Sequence, residues 1–167
     1  MSETAGSDVR LRAPEHRVSP RAVRYWAARA LAGWLVVAAV QVVWLLSDGG
    51  GAVHTILLVA TAGLACAHVA VMPQWRYRVH RWEAAPTAVY TQTGWLDQER
   101  RIAPVSRIQT VDTERGPLEQ LFGLSNVTVT TASAAGALEI KGLDREVADR
   151  LVDELTATTV RDAEDAT

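Results

Sequence analysis

Two apolar runs near the start of the chain leave it few ways to fold. Trp26 to Leu46 is interrupted only by Arg29 and Gln41 and stops at Ser47-Asp48-Gly49-Gly50-Gly51, and Ala52 to Met72 follows at once and meets Pro73. Each run holds about 21 residues, which at about 1.5 Å per residue reaches about 30 Å, the thickness of a bilayer's hydrocarbon core. A soluble helical hairpin would keep a polar stripe on each helix, and neither run has one. Transmembrane helices are therefore expected at 26–46 and 52–72, forming a tight hairpin over residues 25–72.

Charge sets the expected orientation. Arg10, Arg12, Arg17, Arg21 and Arg24 precede the first run, the hairpin loop has no basic residue, and Arg76, Arg78 and Arg81 follow the second. The positive-inside bias puts both termini in the cytoplasm and the protein in the cytoplasmic, inner membrane. Trp26 and Trp44 are about 27 Å apart along a helix, so each falls near one interface, Trp75 repeats the pattern after the second run, and Arg29 snorkels to the cytoplasmic surface. Residues 1–24 are polar, with two prolines, and are expected to form a disordered tail.

After Pro73 the pattern becomes one of short β-prone segments: Arg76 to Trp82, Thr87 to Thr93 before a turn at Gly94, Gln98 to Ala103, Arg107 to Thr113, Val127 to Thr131 and Ala137 to Lys141. Six strands at these spacings suit an antiparallel sheet or barrel. One helix closes the set. Asp144 is placed to cap it, Val147, Ala148, Leu151, Val152 and Leu155 share one face, and Arg145-Asp149 and Glu146-Arg150 are i, i+4 pairs on the other. The expected domain is 73–157, followed by a flexible tail, 158–167.

The least generic stretch is Pro104 to Leu124, P-V-S-R-I-Q-T-V-D-T-E-R-G-P-L-E-Q-L-F-G-L. It reads as a strand, a corner at Gly116-Pro117 and a compact apolar plug closed by Gly123. Ile108, Val111, Leu118, Leu121, Phe122 and Leu124 are expected to fill the domain's interior.

With these residues go Gly94-Trp95-Leu96, Arg100-Arg101-Ile102-Ala103-Pro104, Val127-Thr128-Val129-Thr130-Thr131-Ala132-Ser133 and the helix from Asp144. In this order, from about Trp26 to about Leu155, they resemble the YdbS-like bacterial membrane proteins, which carry a bacterial pleckstrin-homology-type domain after a transmembrane hairpin. The matching core is Arg107, Ile108, Gln109 and Val111, then Gly116, Pro117 and Leu118, then Phe122, Gly123 and Leu124, all with structural roles. The resemblance implies an α+β membrane protein: the hairpin, then two packed antiparallel sheets forming a partly open β-sandwich or barrel, capped by one C-terminal helix. It also implies a paired membrane system. In one respect the chain departs from the pattern: Glu119-Gln120 stands where a basic residue is common before Leu-Phe-Gly-Leu, which argues against a phosphate clamp at that corner.

Chemistry-bearing residues are few. Net charge is −2, and only Lys141 among the 17 basic residues is lysine, so no basic field points to nucleic acid. Cys66 is the lone cysteine, sits in an apolar run and reads as a small hydrophobe. His16 and His80 lie outside the runs, while His54 and His68 are about 21 Å apart on one helix, too far to share a metal. Haem ligation would need an oligomer, since the first run has no histidine, so no cofactor is expected. Asp112 and Glu114 have no neighbouring base and read as solvated strand-edge charges. No catalytic or metal-binding residue is assigned, and no enzyme is expected.

The segment from Pro73 onward carries 11 basic and 15 acidic residues, a net of −4. A headgroup reader should be locally basic, which leaves Arg76, Arg78, Arg81, Arg100 and Arg101 as candidate lipid-surface contacts. Arg107 is read as a hydrogen-bonder to turn carbonyls or to Asp112. The favoured expectation is a docking module that joins a protein partner in the membrane, as a homo- or hetero-oligomer. Small residues on the runs, Ala28, Ala32, Ala39, Ala60, Gly63, Ala67 and Ala70, suit helix association. A sensor of anionic lipid headgroups is the alternative.

Overall fold

The computed structural model describes residues 14–94, 97–132 and 136–165. Residues 1–13 of the expected tail, and Trp95, Leu96 and Ser133 of the motif, lie outside the described residues. Helix α1 spans Arg21–Ser47 and helix α2 spans Ala52–Val79, and both are long and apolar enough to cross a membrane. Their half-buried residues recur at Trp34, Ala38, Gln41 and Leu45 on α1 and at Leu58, Thr61, Ala65 and His68 on α2. That three- and four-residue spacing is the seam of an antiparallel helix pair. Two polar clasps tie the seam: Trp34 Nε1 donates to His68 Nδ1 at 2.9 Å, and Gln41 Nε2 to Thr61 Oγ1 at 2.8 Å.

Pro73 does not end α2. The helix continues through it to Val79 with the proline buried, because a helix already packed along a neighbour tolerates one missing N–H. Arg76 to Val79, expected to open a strand, are therefore its last turn. Both helices extend past the apolar runs as a short stalk.

Strands β1 (His16–Arg17), β2 (Arg81–Ala84), β3 (Ala88–Gly94) and β4 (Gln98–Pro104) form one antiparallel sheet in that order. Strands β5 (Ile108–Glu114), β6 (Leu124–Thr131) and β7 (Leu138–Asp144) form the other. The turn Val105–Arg107 crosses between the sheets, helix α3 (Pro117–Phe122) joins β5 to β6, and helix α4 (Arg145–Asp165) covers the sandwich. The two sheets stay open and do not close into a barrel. There are seven described strands against the six expected, the extra one being β1, and α4 runs to Asp165 where a tail was expected from 158.

Val89, Ala103, Val105, Ile108, Val127, Val129, Leu138, Ile140 and Leu143 fill the core, closed by Ala148, Leu151 and Leu155 of α4. The α4 face is the one its spacing announces. A second cluster, Val18, Ala22, Tyr25, Trp26 and Leu124, joins the start of α1 to β6. Residues 14–24 are thus an ordered part of the domain: β1 pairs with β2, placing His16 opposite Trp82, and Val18, Ser19 and Ala22 are buried.

The motif stretch is only partly interior. Ile108 is buried and Val111 packs on the core, while Gln109 is the extra residue of a bulge between Ile108 and Thr110. Leu124 is buried, but in the α1 cluster. Phe122 is half-buried, and Leu118 and Leu121 are 44% and 78% exposed, against the expectation that all three fill the sandwich. On a six-residue helix, Leu118 and Leu121 share one face while Glu119 and Phe122 share the next, and the second face is the one that meets α1.

Candidate functional site

The hairpin and the domain meet along α1's entry and first turns, where β7 and α3 contribute the polar contacts. Ser19 N–H donates to the Gly142 carbonyl at 2.9 Å, and Ser19 Oγ to Asp144 Oδ1 at 2.8 Å. Arg21 Nη1 reaches the same carboxylate at 3.3 Å, so Asp144 anchors α1's entry. Gly142 sits at φ +79 in a register shift of β7 opposite Asn126, whose Oδ1 accepts its N–H at 3.0 Å. A Cβ there would stand 3.0 Å from the Ala22 Cβ, so α1 lies directly on the backbone of β7. A chain of hydrogen bonds runs beside it: Arg29 Nη1 donates to Tyr25 Oη at 3.3 Å, and Tyr25 Oη to Glu119 Oε1 at 2.7 Å. Asn126 Nδ2 reaches the same oxygen at 3.5 Å. Burial pushes the Glu119 carboxyl up, but bonds from Tyr25, its own backbone N–H and Asn126 hold it below the usual range.

Above this joint, two adjoining grooves of about 690 and 590 Å³ run between the hairpin and the domain. They share Met72, Arg76, Glu139 and Lys141. Arg101 and Glu99 line the larger and Arg29 and Glu119 the smaller. Arg101 donates to Glu99 at 2.7 Å and to the Ala137 carbonyl at 3.0 Å, and Lys141 pairs with Glu139. Arg76 lies over the Trp26 ring with its guanidinium carbon 4.6 Å from the centroid.

Of the five candidate lipid contacts, the fold brings Arg76 and Arg101 into this groove. Arg78 is exposed on α2, Arg81 reaches the Pro14 carbonyl at 3.5 Å, and Arg100 is exposed on β4 next to the groove-lining Arg101. Arg107 is exposed; its carbonyl accepts from Ala132 N–H, while Asp112 accepts from Thr110. Asp112 and Glu114 are both exposed. His54 meets the Trp44 ring edge to face and stands 3.5 Å from Asp48, so it and His68 are seam residues. Among the described residues no three His, Cys, Asp or Glu side chains cluster as a metal site requires.

The sequence model of the bacterial PH domain matches residues 27–159, most of the chain. The chain belongs to the bacterial PH domain family. It is also 29% identical over 154 residues to the transmembrane protein YdbS of Bacillus subtilis (strain 168), covering 86% of this chain and 91% of that protein. No solved structure matches. The family resemblance read from the motif is borne out, and the two sheets with their closing helix are the PH-like domain of a membrane protein.

The PH domain's contact with the stalk holds a buried histidine. His80, 4% exposed, lies against Trp26 and places Nδ1 2.9 Å from the Arg76 carbonyl. Arg76 Nε approaches His80 Nε2 at 3.4 Å, which assigns the proton to Nδ1. Burial and then the Arg76 charge push its pKa down to about 4, against the backbone bond and with Lys141 adding a little. The folded state therefore binds fewer protons than the unfolded between about pH 6.5 and 4, so stability is full above that window and falls as pH drops through it, by about 3 kcal/mol in all. His80→Asn should flatten this part of the stability profile of the full chain in detergent. A profile that keeps its slope there would assign the loss to other groups.

Sequence reasoning passes over Ser19, Tyr25, Glu119, Asn126 and Gly142. Glu119 registers only as a departure from the family pattern, yet it ties α3 to α1. Nothing local marks the others, because Tyr25 to Glu119 and Ser19 to Asp144 span 94 and 125 residues of chain.

Proposed function

We propose that this PH-domain protein is a non-enzymatic docking module of the cytoplasmic membrane, with both termini in the cytoplasm. The arginines flanking the two spans support that orientation. Its PH domain, locked to α1 rather than hung from a linker, presents a fixed surface to a protein partner in or at the membrane. One observation carries the reading: α3 is pinned by Tyr25 to Phe122, edge to face at 6.1 Å, and by Tyr25 to Glu119, while Leu118 and Leu121 stand out in solvent. Two leucines held outward on an immobilised helix suit an apolar anchor at an interface. Ala32, Ala39, Ala60, Gly63, Ala67 and Ala70 also face away from the hairpin seam, which supports helix association within the bilayer with a second copy or another protein.

A photo-crosslinking residue at Leu121, in the full chain at native expression, is expected to give a discrete heavier adduct in membranes. The same residue at Asp153, exposed on α4, gives none. Equal labelling at both positions, or none at Leu121, would remove the docking reading. The alternative, an anionic headgroup sensor, is favoured by a different observation, the environment of Arg76.

A further inference from the structure

We propose that the groove between the hairpin and the PH domain is a phosphate site centred on Arg76, and that it takes the phosphodiester of an anionic phospholipid from the leaflet beside it. The inference rests on the headgroup reading, which it deepens by naming the site, and it uses a different surface from the docking reading. Depth comes first. Each step along α1 is matched by an opposite step along α2, so the clasps Gln41–Thr61 and Trp34–His68 continue regularly to Trp26–Arg76. Trp26 stands about 30 Å of helix from the hairpin turn, which places the Arg76 guanidinium at the hydrocarbon boundary, level with the headgroups.

Charge pairing comes second. The larger groove has three cations and two carboxylates along its walls. Arg101 is engaged by Glu99 and Lys141 by Glu139. Arg29, in the adjoining groove, donates to Tyr25 Oη. Arg76 is half-buried between Trp26 and His80, and among the described residues no carboxylate lies within ion-pair distance of it. His80 gives it a neutral acceptor and Trp26 a ring face, so one edge and one plane of the guanidinium are fixed while its charge has no counter-ion. A planar, pre-oriented guanidinium of this kind suits a tetrahedral oxyanion, which it can hold with two parallel bonds.

The source of the phosphate follows from the walls. Met72 lines both grooves and Ala30 the smaller one, and both belong to the apolar runs. An occupant therefore meets charge on the domain side and hydrocarbon on the membrane side, as a lipid does and a free phosphate ion does not.

The test titrates the full chain in a neutral detergent with dioleoyl phosphatidylglycerol and follows the melting temperature, with dioleoyl phosphatidylcholine and inorganic phosphate as parallel arms. Phosphatidylglycerol is expected to raise the melting temperature of wild type and of Arg78→Gln alike. Arg76→Gln should weaken the apparent affinity at least ten-fold, and Arg76→Lys, which keeps charge but not the fork, should fall between. If Arg76→Gln lowers the lipid-free melt, the Arg76→Lys comparison against Arg78→Lys decides the matter. Equal losses from the Arg76 and Arg78 substitutions would show diffuse attraction and overturn the site. An equal response to phosphatidylcholine would overturn the anionic selectivity, and an Arg76-dependent response to inorganic phosphate at the same concentration would overturn the lipid as its source. None of these results bears on crosslinking at Leu121.

Discussion

Leu124→Ala is expected to lower the stability of the full chain in detergent by about 2–5 kcal/mol, the range for truncating a buried leucine. Leu124 is 1% exposed and is the buried β6 residue of the cluster with Val18, Ala22, Tyr25 and Trp26. Its place is fixed from both sides: Gly123, left-handed at φ +68, ends α3, and β6 begins with Leu124 opposite Asp144, the anchor of Ser19 and Arg21. Removing the isobutyl group leaves a cavity where the hairpin and the domain meet, and neither wall can collapse freely while those hydrogen bonds hold. Phe122→Ala, by contrast, should cost less than Leu124→Ala, because Phe122 is half-buried and touches the cluster from outside. Reading Phe122 as core would predict the reverse order. Chemical unfolding followed by near-ultraviolet dichroism of the tryptophans decides between them.

Gly142→Val should be comparably damaging, at about 3 kcal/mol, for two separable reasons. At φ +79 any side chain is strained, and a Cβ would lie 3.0 Å from Ala22 and 3.6 Å from Trp26 Cζ2. The N–H and carbonyl of Gly142 are also bonded, to Asn126 and Ser19, so the backbone cannot swing away without losing both. Gly142→Ala keeps the strain and the close contact with less bulk. Combining it with Ala22→Gly removes the contact alone, so the double variant should lose less stability than the two single losses added together. Additive losses would mean that α1 does not press on β7.

These two residues mark where the sequence stops being legible. The spans follow from apolar length, the strands from β-branched runs and turns, and α4 from a helical apolar face, all signals contained within a few residues of each other. Pro73 misleads because its cost depends on whether a neighbour supports the helix, and Arg76 to Trp82 misleads because its alternation is short enough to fit either period. Polar composition suggests disorder over residues 14–24, yet Val18, Ser19 and Ala22 are buried by residues more than a hundred positions away. Leu118 and Leu121 read as core because they are leucines in an apolar plug, whereas the face α3 turns inward is selected by Tyr25. Arg76 and Arg101 belong to one groove and Arg78, Arg81 and Arg100 do not, a division that charge alone cannot make.

The docking surface and the Arg76 groove both require hairpin and PH domain to move as one body. Electron–electron distance measurement between nitroxides at Ser47, at the far end of α1, and Glu146, on α4, tests it in lipid nanodiscs, with the single Cys66 replaced by serine. A single narrow distance distribution is expected for the full chain, broadened by Gly142→Val. A broad distribution in the unsubstituted protein would show a domain swinging on a linker and would contradict the account.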